Sequence, residues 1–145
     1  MRNLKLSGYA TNGKSSGGVV KMGYDSYTAP GQVAFEKIRL QNVDISGNAN
    51  RALRMEGIKH LSIETSKFND NGLNGTSGGR MHEAQYIDST WDGNNWRSDG
   101  FGASYGWASA NFKFFLARDQ TFLRCNFLNG QHRPVVRWPR AKHRH

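Results

Sequence analysis

Apolar residues recur along this chain at two nested spacings. Within Leu61-Ser62-Ile63-Glu64-Thr65-Ser66-Lys67-Phe68-Asn69-Asp70-Asn71 they alternate, break for two residues, resume on the same side and end at an Asn. The stretch returns: Ile38, Leu40, Val43, Ile45 and Asn48 precede it, and Ala84, Tyr86, Ser89, Trp91 and Asn94 follow it, each 23 residues away. A step of 23 back from Val43 and Ile45 reaches Val20 and Met22, which predicts a weaker earlier turn of the repeat. Phe122, Cys125 and Phe127 continue the series after an insertion of thirteen.

Such alternation predicts short strands with one buried face. Strands this short find no local partner, because the next similar segment lies a whole repeat away. Each must pair with its counterpart in the repeat above or below, giving parallel ladders around a shared apolar interior. The breaks between Leu40 and Val43 and between Ile63 and Ser66 bend the chain while the inward side stays inward. Ala52-Leu53-Arg54-Met55, closed by Glu56-Gly57, adds a further side to the same coil. At about 3.3 Å per residue, one repeat supplies three short sides and their turns. Asn48, Asn71 and Asn94 fall at equivalent turns. Asn tolerates left-handed backbone, and its amide reaches the identical group about 4.8 Å away, so a stacked Asn ladder is expected. Upstream, Met1 to Gly31 reads as strand, Gly/Ser-rich loop and strand; its Gly13-Lys14-Ser15 lacks the earlier Gly and the following helix of a phosphate loop.

Composition agrees with strands and turns: 145 residues, among them 17 Gly and 3 Pro, without long amphipathic stretches. One β domain is expected over residues 1–130, with a Trp/Gly-rich insertion at 95–110, followed by a basic non-repeat tail at 131–145. The formal charge of +9 points first to nucleic acid, but the tail holds five of the twenty Lys and Arg and no carboxylate. The remainder is about +4, an ordinary solvated surface, so no nucleic-acid partner is expected. Cys125 is alone, which excludes an internal disulfide and a Cys-rich metal site and leaves it as a small buried residue in a strand. Met1 to Leu6 has neither a leader's nor a membrane span's apolar core, so no membrane association and no address are read from it.

The form apolar-x-apolar-x-x-small-x-aromatic-x-x-Asn, carried from Val20 to Asn129, resembles the coil pattern of right-handed parallel β-helix proteins of the pectin-lyase-like class. Asn94-Asn95-Trp96-Arg97, Gly106-Trp107, Asn111-Phe112-Lys113-Phe114 and Cys125-Asn126-Phe127 are similar, more particularly, to a group of secreted bacterial β-helix repeat proteins. In that group a coil ending in Asn is commonly followed by Gly-Pro, then Trp and Asp. The resemblance implies an all-β, right-handed solenoid of about four to five coils, cut from a longer secreted protein. It says little about activity, since the class spans lyases, glycosidases, epimerases and binding proteins. After Asn129 the chain departs from the pattern. Read one nucleotide later, the codons from Gln131 permit Asn-Thr-Gly-Pro-Trp-Phe-Asp-Gly, close to the expected continuation, so the tail is read as a frame-shift product.

Enzymes of this class act on polysaccharides through clustered carboxylates, as a Ca²⁺ site or as acid and base, or through an Arg or Lys base. Three outward columns, Asn42/Thr65/Asp88, Asp44/Lys67/Thr90 and Ser46/Asn69/Asp92, each lack a second carboxylate. Asp88, Asp92 and Asp99, near in sequence, are the candidate catalytic carboxylates, with Lys113 and Arg118 as candidate contacts to an anionic sugar. Their plain reading is turn formers and exposed cations. No cofactor is expected; Ca²⁺ is the ion these carboxylates would allow. His60 and His82, 22 apart, lack a third ligand at metal spacing.

The insertion is the better binding candidate. Trp91, Trp96, Phe101, Tyr105 and Trp107 cluster there, with Asn94, Asn95, Arg97 and Asp99 to bond hydroxyls. Trp96, Arg97, Tyr105 and Trp107 are the expected ligand-binding residues, unless the aromatics fold back onto the coils. The expected function is a carbohydrate-binding fragment, with poly- or oligosaccharide as partner. The alternatives are a polysaccharide lyase or glycoside hydrolase, and a structural self-assembling module. Open solenoid ends, with no amphipathic capping helix in the sequence, predict homo-oligomers.

Overall fold

The structure is a computed structural model that describes residues 1–9, 18–23, 33–97 and 111–130. The tail at 131–145 and the Gly13-Lys14-Ser15 triplet lie outside the described residues. The described chain is all-β, and every strand pairing in it is parallel. In chain order the strands are β1 (Arg2–Leu6), β2 (Val20–Met22), β3 (Phe35–Glu36), β4 (Arg39–Ile45), β5 (Leu53–Glu56), β6 (Ile58–Lys59) and β7 (Ser62–Glu64). They continue as β8 (Lys67–Asn69), β9 (Thr76–Gly79), β10 (His82–Ile87), β11 (Thr90–Asp92), β12 (Phe112–Phe115), β13 (Arg118–Leu123) and β14 (Asn126–Leu128). Ten form one sheet, and β2, β5, β9 and β12 form a second.

The register reproduces the repeat. Leu40 pairs with Ile63 and Ile63 with Tyr86, as Phe68 pairs with Trp91, all at 23 residues. Tyr86 then pairs with Phe122 and Trp91 with Phe127, where the offset grows by the thirteen inserted residues. In the second sheet Leu53 pairs with Thr76, and Thr76 with Phe112. The arrangement is compatible with a solenoid.

One part of the sequence reading is corrected. Val20 and Met22 do not occupy the places of Val43 and Ile45; they pair with Leu53 and Met55 in the second sheet. Leu4 and Leu6 take those places. Leu6 to Met22 is 16 residues where Ile45 to Met55 is 10, and Met22 to Phe35 is 13 where Met55 to Ile58 is 3. The first turn is therefore longer between its sides, and stepping back by a constant interval lands on the wrong sheet.

The inward positions are buried as their alternation requires: Leu40, Val43, Ile45, Leu61, Ile63, Phe68, Ala84, Tyr86 and Trp91 form one core with Leu53, Met55 and Ile58. Large rings stack along it, Phe68 on Trp91 at 5.4 Å and Trp91 on Phe127 at 4.9 Å. The Trp91 indole donates to Thr76 Oγ1 across the interior at 3.0 Å, so the largest core residue leaves no orphan donor.

The bends have a common cause. Asn42, Thr65, Asp88 and Arg124 all have φ near +50°, and Asn3, paired beside Asn42, has φ +52°. Lys37, His60, Glu83 and Asp119 form a second such column, and Gly47, Asp70, Gly93 and Asn129 a third. One left-handed residue turns the strand without changing which face looks inward.

Just past the third column lies the Asn ladder. Asn48 Nδ2 donates to Asn71 Oδ1 at 3.1 Å, and Asn71 Nδ2 to Asn94 Oδ1 at 2.9 Å. The backbone N–H groups of Asn48 and Asn71 donate to the same oxygens. The ladder runs one rung further than expected. Asn94 Nδ2 donates to Asn111 Oδ1 at 2.9 Å, and Asn111 Nδ2 reaches Leu128 O. The last described repeat has Gly130 at the Asn place, and a Cβ there would meet Asn111 Nδ2 at 2.7 Å. Asn111, just past the insertion, thus fills the rung that Gly130 leaves open. A parallel Ser column runs beside it, with Val43 N donating to Ser66 Oγ and Ser66 N to Ser89 Oγ. Cys125 continues that column, half-buried rather than buried because it lies in the last described repeat.

Candidate functional site

The side chains singled out from the sequence are distributed over both sheets. Asp88, at a left-handed bend, accepts two bonds from Arg124 at 2.5 and 2.9 Å. These bonds, reinforced by the guanidinium charge, hold its carboxyl below the usual range. Asp92 Oδ1 accepts from Asn129 Nδ2 at 3.0 Å. Both carboxylates are bonded to the next repeat. Arg118 lies exposed on β13 in register with His82, whereas Lys113 lies on the second sheet. Asp99, Phe101, Tyr105 and Trp107 lie outside the described residues. His60 Nδ1 lies 3.1 Å from Glu83 Oε2, and no cluster of three metal-ligating side chains occurs among the described residues.

The start of the insertion folds onto the preceding turns. Trp91 belongs wholly to the core. Trp96 is 37% exposed, and its indole N–H donates to Asp70 O at 3.0 Å. Arg97 donates from its backbone to Gly72 O at 2.9 Å and from Nη1 to Ala49 O at 2.8 Å. Its side chain lies so close over Gly72 that a Cβ there would meet Arg97 Cδ at 2.7 Å. Two successive side chains are thereby pinned to turns of the two preceding repeats, with Trp96 partly exposed.

A second feature lies on the outer face of the second sheet. Lys21, Arg54, Ser77 and Lys113 stack in register there. A cavity of about 250 Å³ opens among Arg51, Arg54, Asn74, Ser77, Gly78, Lys113 and Phe115. Arg51 and Arg54 are buried at 2% and 8% exposure, whereas Lys113 is exposed. Among the described residues of the four strands of this sheet, Glu56 is the one carboxylate, and Arg54, Arg80 and Lys21 act on it. Glu56 Oε1 lies 3.4 Å from Arg54 Nη2. Burial pushes the Glu56 carboxyl up, against the opposing pull of Arg54, Arg80 and Lys21. Phe115 lies over Gly79, where a Cβ would meet its ring at 2.3 Å.

Of this cavity the sequence reading offered only Lys113 as a candidate contact. Arg54 and Ser77 were within reach, because they and Lys113 make an outward column like those traced on the first sheet. Arg51, Asn74 and Phe115 come from strand ends and turns, where the alternation carries no signal. Comparison of the chain with protein-family models, with curated proteins and with solved structures finds no match.

Proposed function

We propose that this chain is part of a right-handed parallel β-helix of the pectin-lyase-like kind and that it binds carbohydrate through the Trp96–Arg97 corner. The constant register of 23 residues and the Asn ladder support the solenoid. The observation that carries the binding reading is Trp96, partly exposed with its one donor already bonded to Asp70 O. An indole so held offers a flat apolar face to a sugar ring, and little rotamer freedom remains to be lost on binding. Tyr105 and Trp107 complete the contact surface in this reading. An extracellular setting goes with it, and neither nucleic acid nor membrane enters.

Titration calorimetry against neutral and acidic oligosaccharides tests the reading. Saturable binding weakened on the order of tenfold by Trp96→Ala is expected, the usual effect of removing an aromatic anchor. Binding indifferent to Trp96→Ala and Trp107→Ala contradicts it. Turnover in the same screen would favour a lyase or glycosidase using Asp88, Asp92 or Asp99 with Lys113 or Arg118. A third reading, a self-associating structural module, is favoured by the exposed Phe122, Leu123, Phe127 and Leu128 on the last described strands.

A further inference from the structure

We propose that the free edge of the last described strands takes the free edge of the first strands of a second copy of this chain, in the same register that joins its own repeats. The inference rests on the self-association reading and gives that association a direction and a register; the Trp96 corner plays no part in it.

Among the described residues β1, β2 and β3 are paired on one side only, and so are β12, β13 and β14 at the opposite side of the same two sheets. Such an edge is a template for a further strand. Apart from Trp96, every exposed large apolar side chain among the described residues lies on or beside one of these six strands. Apolar exposure gathered in this way marks a contact surface.

Charge selects the occupant. Glu36, Lys59, His82 and Arg118 follow one another in register across the first sheet. The residues after them, Lys37, His60, Glu83 and Asp119, form a column of left-handed bends. A second copy that continues both columns brings its Glu36 beside Arg118 and its Lys37 beside Asp119. Two adjacent pairs of opposite sign then meet at the spacing of neighbouring strands, about 4.8 Å. The bend column already joins such groups within one chain, since His60 Nδ1 lies 3.1 Å from Glu83 Oε2. Glu36, Lys37, Arg118 and Asp119 are all exposed, and none has an ion pair among the described residues.

The apolar places agree with this register. Phe127 comes beside Leu6 of the second copy on the first sheet, and Phe114 beside its Met22 on the second, each a ring against an aliphatic side chain at an inward position. One like-charged pair arises too, Lys113 beside Lys21. It stands against two opposite pairs and the burial of apolar surface on both sheets. Each copy keeps one edge free, so the contact is heterologous and extends beyond a dimer.

Sedimentation velocity on the full chain at low salt tests this with two charge reversals, Asp119→Lys and Lys37→Asp. Each puts at the bend a residue type that the column already carries, so folding should be spared, and urea unfolding checks that it is. Either variant alone should need about tenfold higher concentration than the unsubstituted chain to associate, because like charges then meet. An equimolar mixture of the two variants should regain the association of the unsubstituted chain, since contacts between unlike copies are again of opposite sign. Added salt should shrink all these differences. Association indifferent to both reversals, or weakened by both and not restored in the mixture, overturns the proposed register and leaves self-association standing. Weakening by one reversal alone means that like edges meet each other, and overturns it too. A strict monomer at every concentration removes the self-association reading together with the proposal.

Discussion

At the scale of single residues, Asn71 holds most. Its amide oxygen accepts from the Asn48 backbone and side chain, while its nitrogen donates to Asn94 Oδ1 and Ile45 O, all out of water. Asn71→Ala strands several buried polar groups at about 1–3 kcal/mol each, so a loss of about 3 kcal/mol is expected in urea unfolding. A loss under about 1 kcal/mol would mean that the ladder is incidental. Two carboxyls should shape the pH dependence with opposite signs. The folded Asp88 carboxyl lies below its ordinary 3.8, so its contribution is present above that value and is lost as pH falls through the folded pKa. The folded Glu56 carboxyl lies above its ordinary 4.5, so its contribution is complete below 4.5 and is lost as pH rises through the folded pKa. In pH-dependent unfolding, Asp88→Asn should flatten the first slope and Glu56→Gln the second. Slopes unchanged in both variants would contradict these assignments.

At the scale of elements, the bends and the core rings are separate devices that share one period. Thr65 is β-branched yet sits at φ +48° between Asn42 and Asp88 in the bend column. Thr65→Asn puts a residue tolerant of that conformation there, and a gain of about 0.5–1 kcal/mol in thermal or urea unfolding is expected. A loss instead would mean that the threonine side chain is needed at the bend. Trp91→Ala opens a cavity between Phe68 and Phe127, for which about 3–5 kcal/mol is expected. These elements were legible in the sequence because burial and turning both recur with the repeat: Ile63, Tyr86 and Phe68 announce the inward face, and Asn71 and Asn94 the turn. The first turn was not, because extra residues on either side of β2 displace Val20 and Met22 from the common interval. The added rung at Asn111 was hidden for a similar reason, since the insertion separates it from Asn94 by 17 residues.

At the scale of the whole molecule, the last described strands present apolar surface. Phe122 and Phe127 lie over Tyr86 and Trp91, with Leu123 and Leu128 exposed beside them. Their strands have a partner on one side only within the described residues, and the proposed self-association rests on such an edge. Light scattering should show species larger than a monomer at micromolar concentration, reduced by Leu128→Lys; a strict monomer counts against it. The cation-lined cavity was nearly invisible in the sequence, because an Arg at an outward strand position is normally solvated, yet Arg54 is buried. Site and ladder depend on the register between repeats, and disulfide trapping measures it directly. In a Cys125→Ser background, Lys67→Cys with Thr90→Cys joins paired positions on adjacent strands, whose separation of about 4.8 Å suits a disulfide. Lys67→Cys with Asp88→Cys is the off-register control. Rapid cross-linking of the first pair and not the second is the predicted result; cross-linking of the second alone, or of neither, would contradict the 23-residue stack.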